Sequence, residues 1–126
     1  QSYPFDFGFV PQTLWDDGDA LDVVLLTTQP LLPGILVHAR PVAILPMVDG
    51  GDKDEKVLAV PAGDPRFAEI KDLSDVNPHT LKEISHFFET YKKIQAKEVS
   101  VGEWQGAAEA KAAFVRAVGM YQEAKA

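Results

Sequence analysis

Short apolar runs separated by proline and glycine dominate the first half of the chain. Residues 23–26, 35–40, 42–45 and 57–60 each have the length and composition of a β-strand. A Pro-Gly turn separates the first two runs, and a polar hairpin at residues 49–56 separates the last two. Short strands at this spacing favour a small barrel or sandwich over a sheet built from alternating strands and helices.

Apolar residues at helical spacing mark the second half of the chain. A helix is predicted to begin at Asn77, which can cap the first turn, with Pro78 at a favourable first-turn position. A short strand is predicted at residues 99–101 and a second helix at residues 107–124. Because strands precede helices, we expect a mainly β fold with flanking helices (α+β) in a single domain spanning residues 1–126. The apolar faces of the two helices are Leu81, Ile84, Phe88 and Tyr91, and Ala110, Phe114, Val118 and Tyr121.

Composition removes several classes of function. The 126 residues include 19 Asp or Glu and 12 Lys or Arg, which gives a formal net charge of −7. The absence of cysteine excludes a disulfide scaffold, a zinc ribbon and a thiol nucleophile. No run approaches the roughly 18 apolar residues that a membrane span requires. The negative charge disfavours nucleic acid, because phosphate binding requires a basic face. We therefore expect neither a membrane nor a nucleic acid as the partner.

Two clusters hold eight of the acidic residues. Acidic loops are commonly solvated turns, but three features of the first cluster favour a cation site. Asp17 and Asp19 are two positions apart, so they point to one side of an extended chain. Asp22 adjoins an apolar strand, where an unpaired carboxylate is costly, and neighbouring carboxylates raise one another's pKa unless a cation compensates them. The clusters are Asp16, Asp17, Asp19 and Asp22, and Asp49, Asp52, Asp54 and Glu55.

The ligand atoms available in these clusters indicate the type of metal. Carboxylate oxygens suit hard cations such as Mg²⁺, Mn²⁺ or Ca²⁺ better than zinc. A calcium-binding EF-hand loop beginning at Asp17 is excluded, because Leu21 stands at its fifth position and Thr28 at its twelfth. That loop requires an oxygen-bearing side chain at the fifth position and a bidentate glutamate at the twelfth. The clusters therefore predict a cation site of another kind.

The first cluster resembles a known sequence signature. The segment DGDALDV at residues 17–23 resembles that of the family I soluble inorganic pyrophosphatases, and residues 3–14 resemble the Tyr-Pro-x-x-Tyr-Gly region that precedes it. Further matching blocks follow in the same order and extend the resemblance over nearly the whole chain. Blocks in a conserved order are more specific than a single signature. The downstream blocks are residues 40–56, 86–92 and 102–104.

This resemblance implies a five-stranded OB-like barrel with two C-terminal helices. It also implies hydrolysis of pyrophosphate to two phosphates with several Mg²⁺ ions, or with Mn²⁺ as an alternative metal. The enzyme would be cytoplasmic and, as in bacterial members, a hexamer with the helix of His86 at a subunit interface. By motif position, the metal ligands are Asp17, Asp22, Asp49 and Asp54, the general base is Asp19, and the groups on phosphate oxygens are Tyr3, Lys56, Tyr91 and Lys92.

The chemistry of the residues agrees with these implied roles. An acidic pocket repels pyrophosphate unless cations intervene, and two or more cations also lower the pKa of a shared water. Lys56 lies two positions from Asp54 on an extended hairpin, so both side chains can point to the same side. Tyr91 also completes the apolar stripe of its helix, and core packing is the alternative interpretation. The alternative interpretation for Lys92 is a solvated helix charge.

The chain departs from the family pattern in three places. The N-terminal strands, which supply two Glu, a Lys and an Arg to the family's site, have no counterpart, so we expect a natural protein with an additional N-terminal segment. Phe7 stands where the family has Tyr, and Ala20 replaces Pro or Glu. A second hypothesis therefore remains, a catalytically impaired or inactive relative that acts as a metal-binding or assembly module. A third, an OB-fold nucleic-acid binder, is disfavoured by the charge and by the lack of interleaved basic and aromatic residues.

Overall fold

Two sheets and two helices organise the part of the chain that the structure, a computed structural model, describes: residues 4–94 and 98–126, without the side chains of residues 91–94. Two short 3-10 turns, Pro65–Phe67 and Leu73–Asp75, connect the sheets to the first helix. In chain order the elements are β1 (Phe5–Phe9), β2 (Asp22–Leu26), β3 (Ala39–Leu45), β4 (Met47–Asp49), β5 (Asp52–Lys53), β6 (Lys56–Pro61), α1 (Pro78–Ile94), β7 (Val99–Val101) and α2 (Ala107–Lys125).

The strand pairing brings distant parts of the sequence side by side. The larger sheet has the order β1-β2-β6-β3, and the smaller sheet has the order β5-β4-β7. β2 and β6 run parallel, which aligns Asp22 with Lys56 at the start of both strands. The other neighbours pair antiparallel. Only Pro46 separates β3 from β4, so the chain passes directly from one sheet into the other.

Two apolar clusters support the sheets. The larger one packs Ile84 and Phe88 of α1, together with Phe67, against residues of β2, β3 and β6. The smaller one packs Trp15 and Leu21 against α2. The buried positions of α2 are all alanine, and these small side chains allow the helix to pack closely against β3.

The predicted fold class is confirmed: the chain is mainly β with two C-terminal helices, and its two sheets are consistent with an OB-like barrel. The strand predicted over residues 35–40 is wrong, since β3 begins only at Ala39. Leu36 in the preceding loop is 77% exposed. Two prolines in this loop lack the N–H that a sheet requires, and Gly34 adopts a φ of +85°. The apolar composition there therefore does not reflect burial.

The predicted apolar face of α2 is correct in part. Ala110 is buried as expected, but Phe114 is 42% exposed, and the helix instead buries Ala107, Ala113 and Ala117 beside it. Small residues set the close approach of this helix, so its contact face is rotated away from Phe114. Neither helix in the described ranges combines the length and apolar content that crossing a membrane requires.

Candidate functional site

An acidic cleft of about 390 Å³ lies where the starts of β2 and β6 meet the β4–β5 hairpin. Of the residues that the structure describes, six with carboxylates and one with an ammonium group line it. So many charges of one sign in one cleft either raise the pKa values of the carboxyl groups or attract a compensating cation. The lining residues are Asp17, Asp19, Asp22, Asp49, Asp52, Asp54 and Lys56.

A hydrogen-bonded turn presents the first two carboxylates. The Trp15 N–H donates to the Asp19 carbonyl at 2.8 Å, and the Gly18 N–H donates to the Trp15 carbonyl at 3.0 Å. Gly18 has a φ of +88°, in the left-handed region that glycine adopts without strain. The Asp19 N–H also donates to Asp17 Oδ1 at 3.1 Å. The turn therefore fixes the backbone around Asp17 and orients its carboxylate.

The β4–β5 hairpin carries a second pair of carboxylates, Asp49 and Asp52, which face each other across the two strands. Gly50 and Gly51 form the turn between them with φ values of +60° and +90°. Positive φ at both central positions matches the tight turn that suits the twist of a hairpin. Asp54 follows directly and is only 7% exposed. The hairpin thus delivers three carboxylates to the cleft within six residues.

Three carboxylates from three segments of the chain converge most closely. One oxygen of each of Asp17, Asp22 and Asp54 lies within 4.8 Å of the others. The donors are all carboxylate oxygens, the ligand type that Mg²⁺ and other hard cations prefer. The donor set therefore fits the metal that the family resemblance implies, and this group could hold a metal ion.

Lys56 supplies the positive charge that faces these carboxylates. Its Nζ lies 2.7 Å from Asp22 Oδ2 and 2.9 Å from Asp54 Oδ1, and its side chain is 9% exposed. Burial lowers the pKa of the Lys56 ammonium, but the hydrogen bonds to Asp22 and Asp54 outweigh it and leave the pKa raised. The Nζ also lies 5.4 Å from the centre of the Phe88 ring. Lys56 is therefore a firmly charged group held between two carboxylates.

One lysine does not compensate the cleft. Burial raises the pKa of Asp17 to about 6, the Asp19 N–H opposes this, and Asp54 raises it further. Burial also raises the pKa of Asp22, although Lys56 acts in the opposite direction. Burial and the neighbouring carboxylates thus both disfavour the charged forms, and nearby positive charge would favour them again. A cation at this position would supply it.

Six of the nine predicted site residues lie together in this cleft. Tyr3 lies outside the described residues. Tyr91 and Lys92 belong to α1, but their side chains fall outside the description, so their contacts with phosphate stay predictions. The six that line the cleft are Asp17, Asp19, Asp22, Asp49, Asp54 and Lys56.

Individual members of the acidic clusters separate in the structure. Asp52 lines the cleft although sequence reasoning gave it no role, and its cross-strand pairing with Asp49 is the signal that could have found it. Asp16 instead accepts a hydrogen bond from Arg116 at 2.6 Å. Glu55 accepts one from the Trp15 indole at 2.8 Å. Membership of an acidic cluster therefore did not by itself predict which side chains share the cleft.

Phe7, the aromatic residue predicted to replace a family tyrosine, lies in a group of phenylalanine rings near Lys56. Its ring stacks on Phe87 with 5.0 Å between centroids and meets the edge of Phe88 at 5.7 Å. Phe88 is the ring that faces the Lys56 ammonium. Phe7 is 53% exposed. At this position the chain offers an apolar ring edge instead of a hydroxyl.

Comparisons with known proteins bear on this arrangement. The family model described as inorganic pyrophosphatase matches residues 1–122. An inorganic pyrophosphatase of Nostoc sp. is 48% identical over 120 residues, which is 95% of this chain and 71% of that protein. One of Haloferax volcanii is 47% identical over 122 residues, 96% of this chain and 69% of that protein.

Solved structures agree with these sequence matches. The crystal structure of inorganic pyrophosphatase from Thermus thermophilus superposes with a TM-score of 0.90 at 43% identity, covering 97% of this chain and 72% of that one. The chain thus spans about seven tenths of the length of these relatives. The similarity extends over both sheets and both helices, and so includes every segment that lines the cleft.

Proposed function

Because the chain belongs to the inorganic pyrophosphatase family, we propose that its acidic cleft hydrolyses pyrophosphate to two phosphates with Mg²⁺ as the metal. The reaction follows from the family, and the assignment of the cleft rests on one observation. Asp17, Asp22 and Asp54 each direct an oxygen into a space 4.8 Å across, next to a lysine that is already surrounded by acids. This is an arrangement that binds a doubly charged cation and, through it, a polyanion.

The proposed metal ligands are Asp17, Asp22, Asp49 and Asp54. The family resemblance supports them, as does the oxygen-only donor set of the cleft. When bound there, Mg²⁺ would supply positive charge to the phosphate oxygens and lower the pKa of a water. The carboxylates would hold this charge in place, and the burial of Asp54 would reduce its screening by water at that ligand.

Asp19 is proposed as the general base. It lines the cleft on the same turn as Asp17, and its own N–H holds the Asp17 carboxylate at 3.1 Å. Its carboxylate would accept a proton from the attacking water, while Asp17 and its neighbours stay in place as ligands. Placing the base and a ligand on one rigid turn keeps their separation constant during turnover.

Lys56 is proposed to bind a phosphate oxygen once cations occupy the acids. An ammonium group has three donors, and two of them are used by Asp22 and Asp54. The third remains available to an oxyanion in the cleft. Tyr3, Tyr91 and Lys92 are proposed as further phosphate ligands on the strength of the resemblance alone.

Three further properties are also proposals. A single domain over residues 1–126, a homo-hexamer and a cytoplasmic location all follow from the resemblance to bacterial members. Sedimentation velocity would test the assembly, since a hexamer and a monomer of a 13.8 kDa chain differ sixfold in mass. Cell fractionation would test the location.

A phosphate-release assay with pyrophosphate tests the proposed function. We expect release in the presence of Mg²⁺ and none with excess EDTA. The alternative, a relative that binds metal without turnover, predicts saturable Mg²⁺ binding with no phosphate release above the uncatalysed rate. Phe7, which removes a hydroxyl near the site, is the observation that favours this alternative.

A further inference from the structure

Trp15 connects the two acidic segments of the sequence. It forms the base of the turn that presents Asp17, through its backbone bonds to Gly18 and Asp19. Its indole Nε1–H donates to Glu55 Oε1 at 2.8 Å, and the side chain is 5% exposed. Glu55 directly follows Asp54, so one buried ring links the backbone of one metal ligand to the backbone of another.

The C-terminal helix holds this ring from the other side. Arg116 of α2 places its guanidinium carbon 4.5 Å from the centre of the Trp15 ring. The same group donates to Asp16 Oδ1 at 2.6 Å. The Leu14 N–H donates to the Ala117 carbonyl at 3.1 Å, which fixes the turn to the helix. Trp15 is thereby constrained by packing, a hydrogen bond and a cation on its face.

We propose that Trp15 is a positioning residue for the metal site, whose indole bond to Glu55 holds the Asp17 turn and the Asp54 segment at the separation that their ligand oxygens require. The inference rests on the proposed function, because it assumes that these carboxylates hold a metal. The new element is a role for Trp15, Glu55 and Arg116, none of which lines the cleft.

The energetic reason is that the ligand carboxylates repel one another. One oxygen of Asp17 lies within 4.8 Å of one of Asp54, so in the absence of metal the two like-charged segments gain by moving apart. A bond between their neighbours opposes that motion and lowers the reorganisation that binding requires. Contacts that orient ligands from outside typically alter metal affinity by roughly 10- to 100-fold, and we expect a smaller effect from this less direct one.

Trp15→Phe is the direct test, with Mg²⁺ binding to the metal-free chain measured by calorimetry in the absence of substrate. Phenylalanine keeps an aromatic ring in the core and removes the N–H donor. We expect the dissociation constant to rise about 3- to 10-fold, and an unchanged constant would overturn the proposal. Trp104→Phe is the matched control, since the Trp104 indole donates to Leu81 and Ser85 on α1. Its metal affinity should not change.

A double-mutant cycle separates the indole bond from a general loss of packing. Glu55→Met removes the acceptor, so adding Trp15→Phe to it should cost almost nothing further in metal affinity. An equal loss from Trp15→Phe in both backgrounds would contradict the proposed bond. If metal-free Trp15→Phe lacks a cooperative unfolding transition, Glu55→Met alone decides, and an affinity equal to that of the parent overturns the proposal. Absence of saturable Mg²⁺ binding in the parent chain would instead refute the proposed function itself.

Discussion

Two groups of aspartates in this protein have pKa values shifted in opposite directions. In the cleft, burial raises the pKa values of Asp17 and Asp22, and the neighbouring Asp54 raises both further, although Lys56 acts in the opposite direction on Asp22. At the start of α2, hydrogen bonds from the N–H groups of Ala107 and Leu73 lower the pKa of Asp72. Hydrogen bonds from Arg66 likewise lower the pKa of Asp64. The fold thus favours the charged form of aspartate in one region and disfavours it in the other.

The difference separates structural acids from functional ones. Asp72 joins the 3-10 turn at Leu73–Asp75 to the first turn of α2, and Gly106 leaves it room, since a Cβ there would lie 2.8 Å from its Oδ1. Its negative charge is used entirely within the fold. In the cleft, by contrast, burial disfavours the charged forms of Asp17 and Asp22 in the metal-free protein. Such a cost is expected where the group serves binding or catalysis.

The largest expected effect is on the rate of phosphate release, when the proposed general base Asp19 is replaced. Asp19→Asn should lower the rate of phosphate release by roughly 10²–10⁴-fold, because the amide cannot accept the proton. The fold and Mg²⁺ binding should be retained. Asp64→Asn is the control from the structural group and should leave the rate unchanged. Equal rates for Asp19→Asn and the parent would remove Asp19 from the mechanism.

A second effect concerns Lys56, the one ammonium group that lines the cleft among the side chains that the structure describes. Lys56→Met should raise KM for pyrophosphate by roughly 10- to 100-fold, the range for losing charged hydrogen bonds to a ligand. The dissociation constant of Mg²⁺ should not rise, since the lysine competes with cations for Asp22 and Asp54. Steady-state kinetics and calorimetry measure the two quantities, with Lys53→Met as the exposed control. Weaker Mg²⁺ binding in Lys56→Met would mean that the lysine orients the ligands instead.

The third effect is a pH dependence of stability in the metal-free protein. The pKa of Asp17 is raised from 3.8 to about 6 on folding, so between these values the folded state binds more protons than the unfolded state. Stability should therefore fall as the pH rises through this window and level off above it. Melting temperatures of the EDTA-treated chain should show this decline, and Asp17→Asn should flatten it. An identical pH profile in the variant would contradict the assigned pKa shift.

The smallest expected effect is a loss of stability at Asp72, one of the two structural aspartates. Asp72→Ala should lower the melting temperature by a few degrees, roughly what loss of a helix-capping contact costs. Because the folded-state pKa of Asp72 is lowered, its contribution is present above about pH 4 and disappears as the pH falls through the folded value. The difference between parent and variant should shrink accordingly in acid. Mg²⁺ binding should not change, and a weakened affinity would show that Asp72 and the cleft are coupled.

Much of the fold was predictable because local pattern and burial agree along most of the chain. β2 and β6 are apolar runs that do become buried strands, and α1 begins at the proline that follows the predicted cap. The pattern failed at residues 35–38, where an apolar composition has no neighbouring strand to pair with. It also failed at Phe114, because α2 buries a face made of alanines instead. Both errors arise from tertiary packing, which the periodicity of a local segment does not reveal.

Contacts in the site were predictable from the sequence where they depend on spacing within one segment. They were not predictable where they depend on the pairing of distant strands. The two-residue interval predicted that Lys56 faces Asp54, and their atoms lie 2.9 Å apart. The contact between Lys56 and Asp22 depends on the parallel pairing of β2 with β6 across 34 residues, which no local pattern shows. The family resemblance predicted only that both residues belong to one site, as a metal ligand and a phosphate ligand. The role proposed for Trp15 has no counterpart in either source, since it arises from a contact between side chains.

The most direct test of the account is a calorimetric titration of the metal-free chain with Mg²⁺, in parallel with Asp54→Asn and Asp72→Asn. Asp54 is the most buried of the converging carboxylates and Asp72 the structural counterpart. The account predicts saturable binding to the parent and to Asp72→Asn, with Asp54→Asn weakened beyond the roughly 10- to 100-fold typical of outer contacts. Binding that is equal in all three proteins, or absent from the parent, would contradict it.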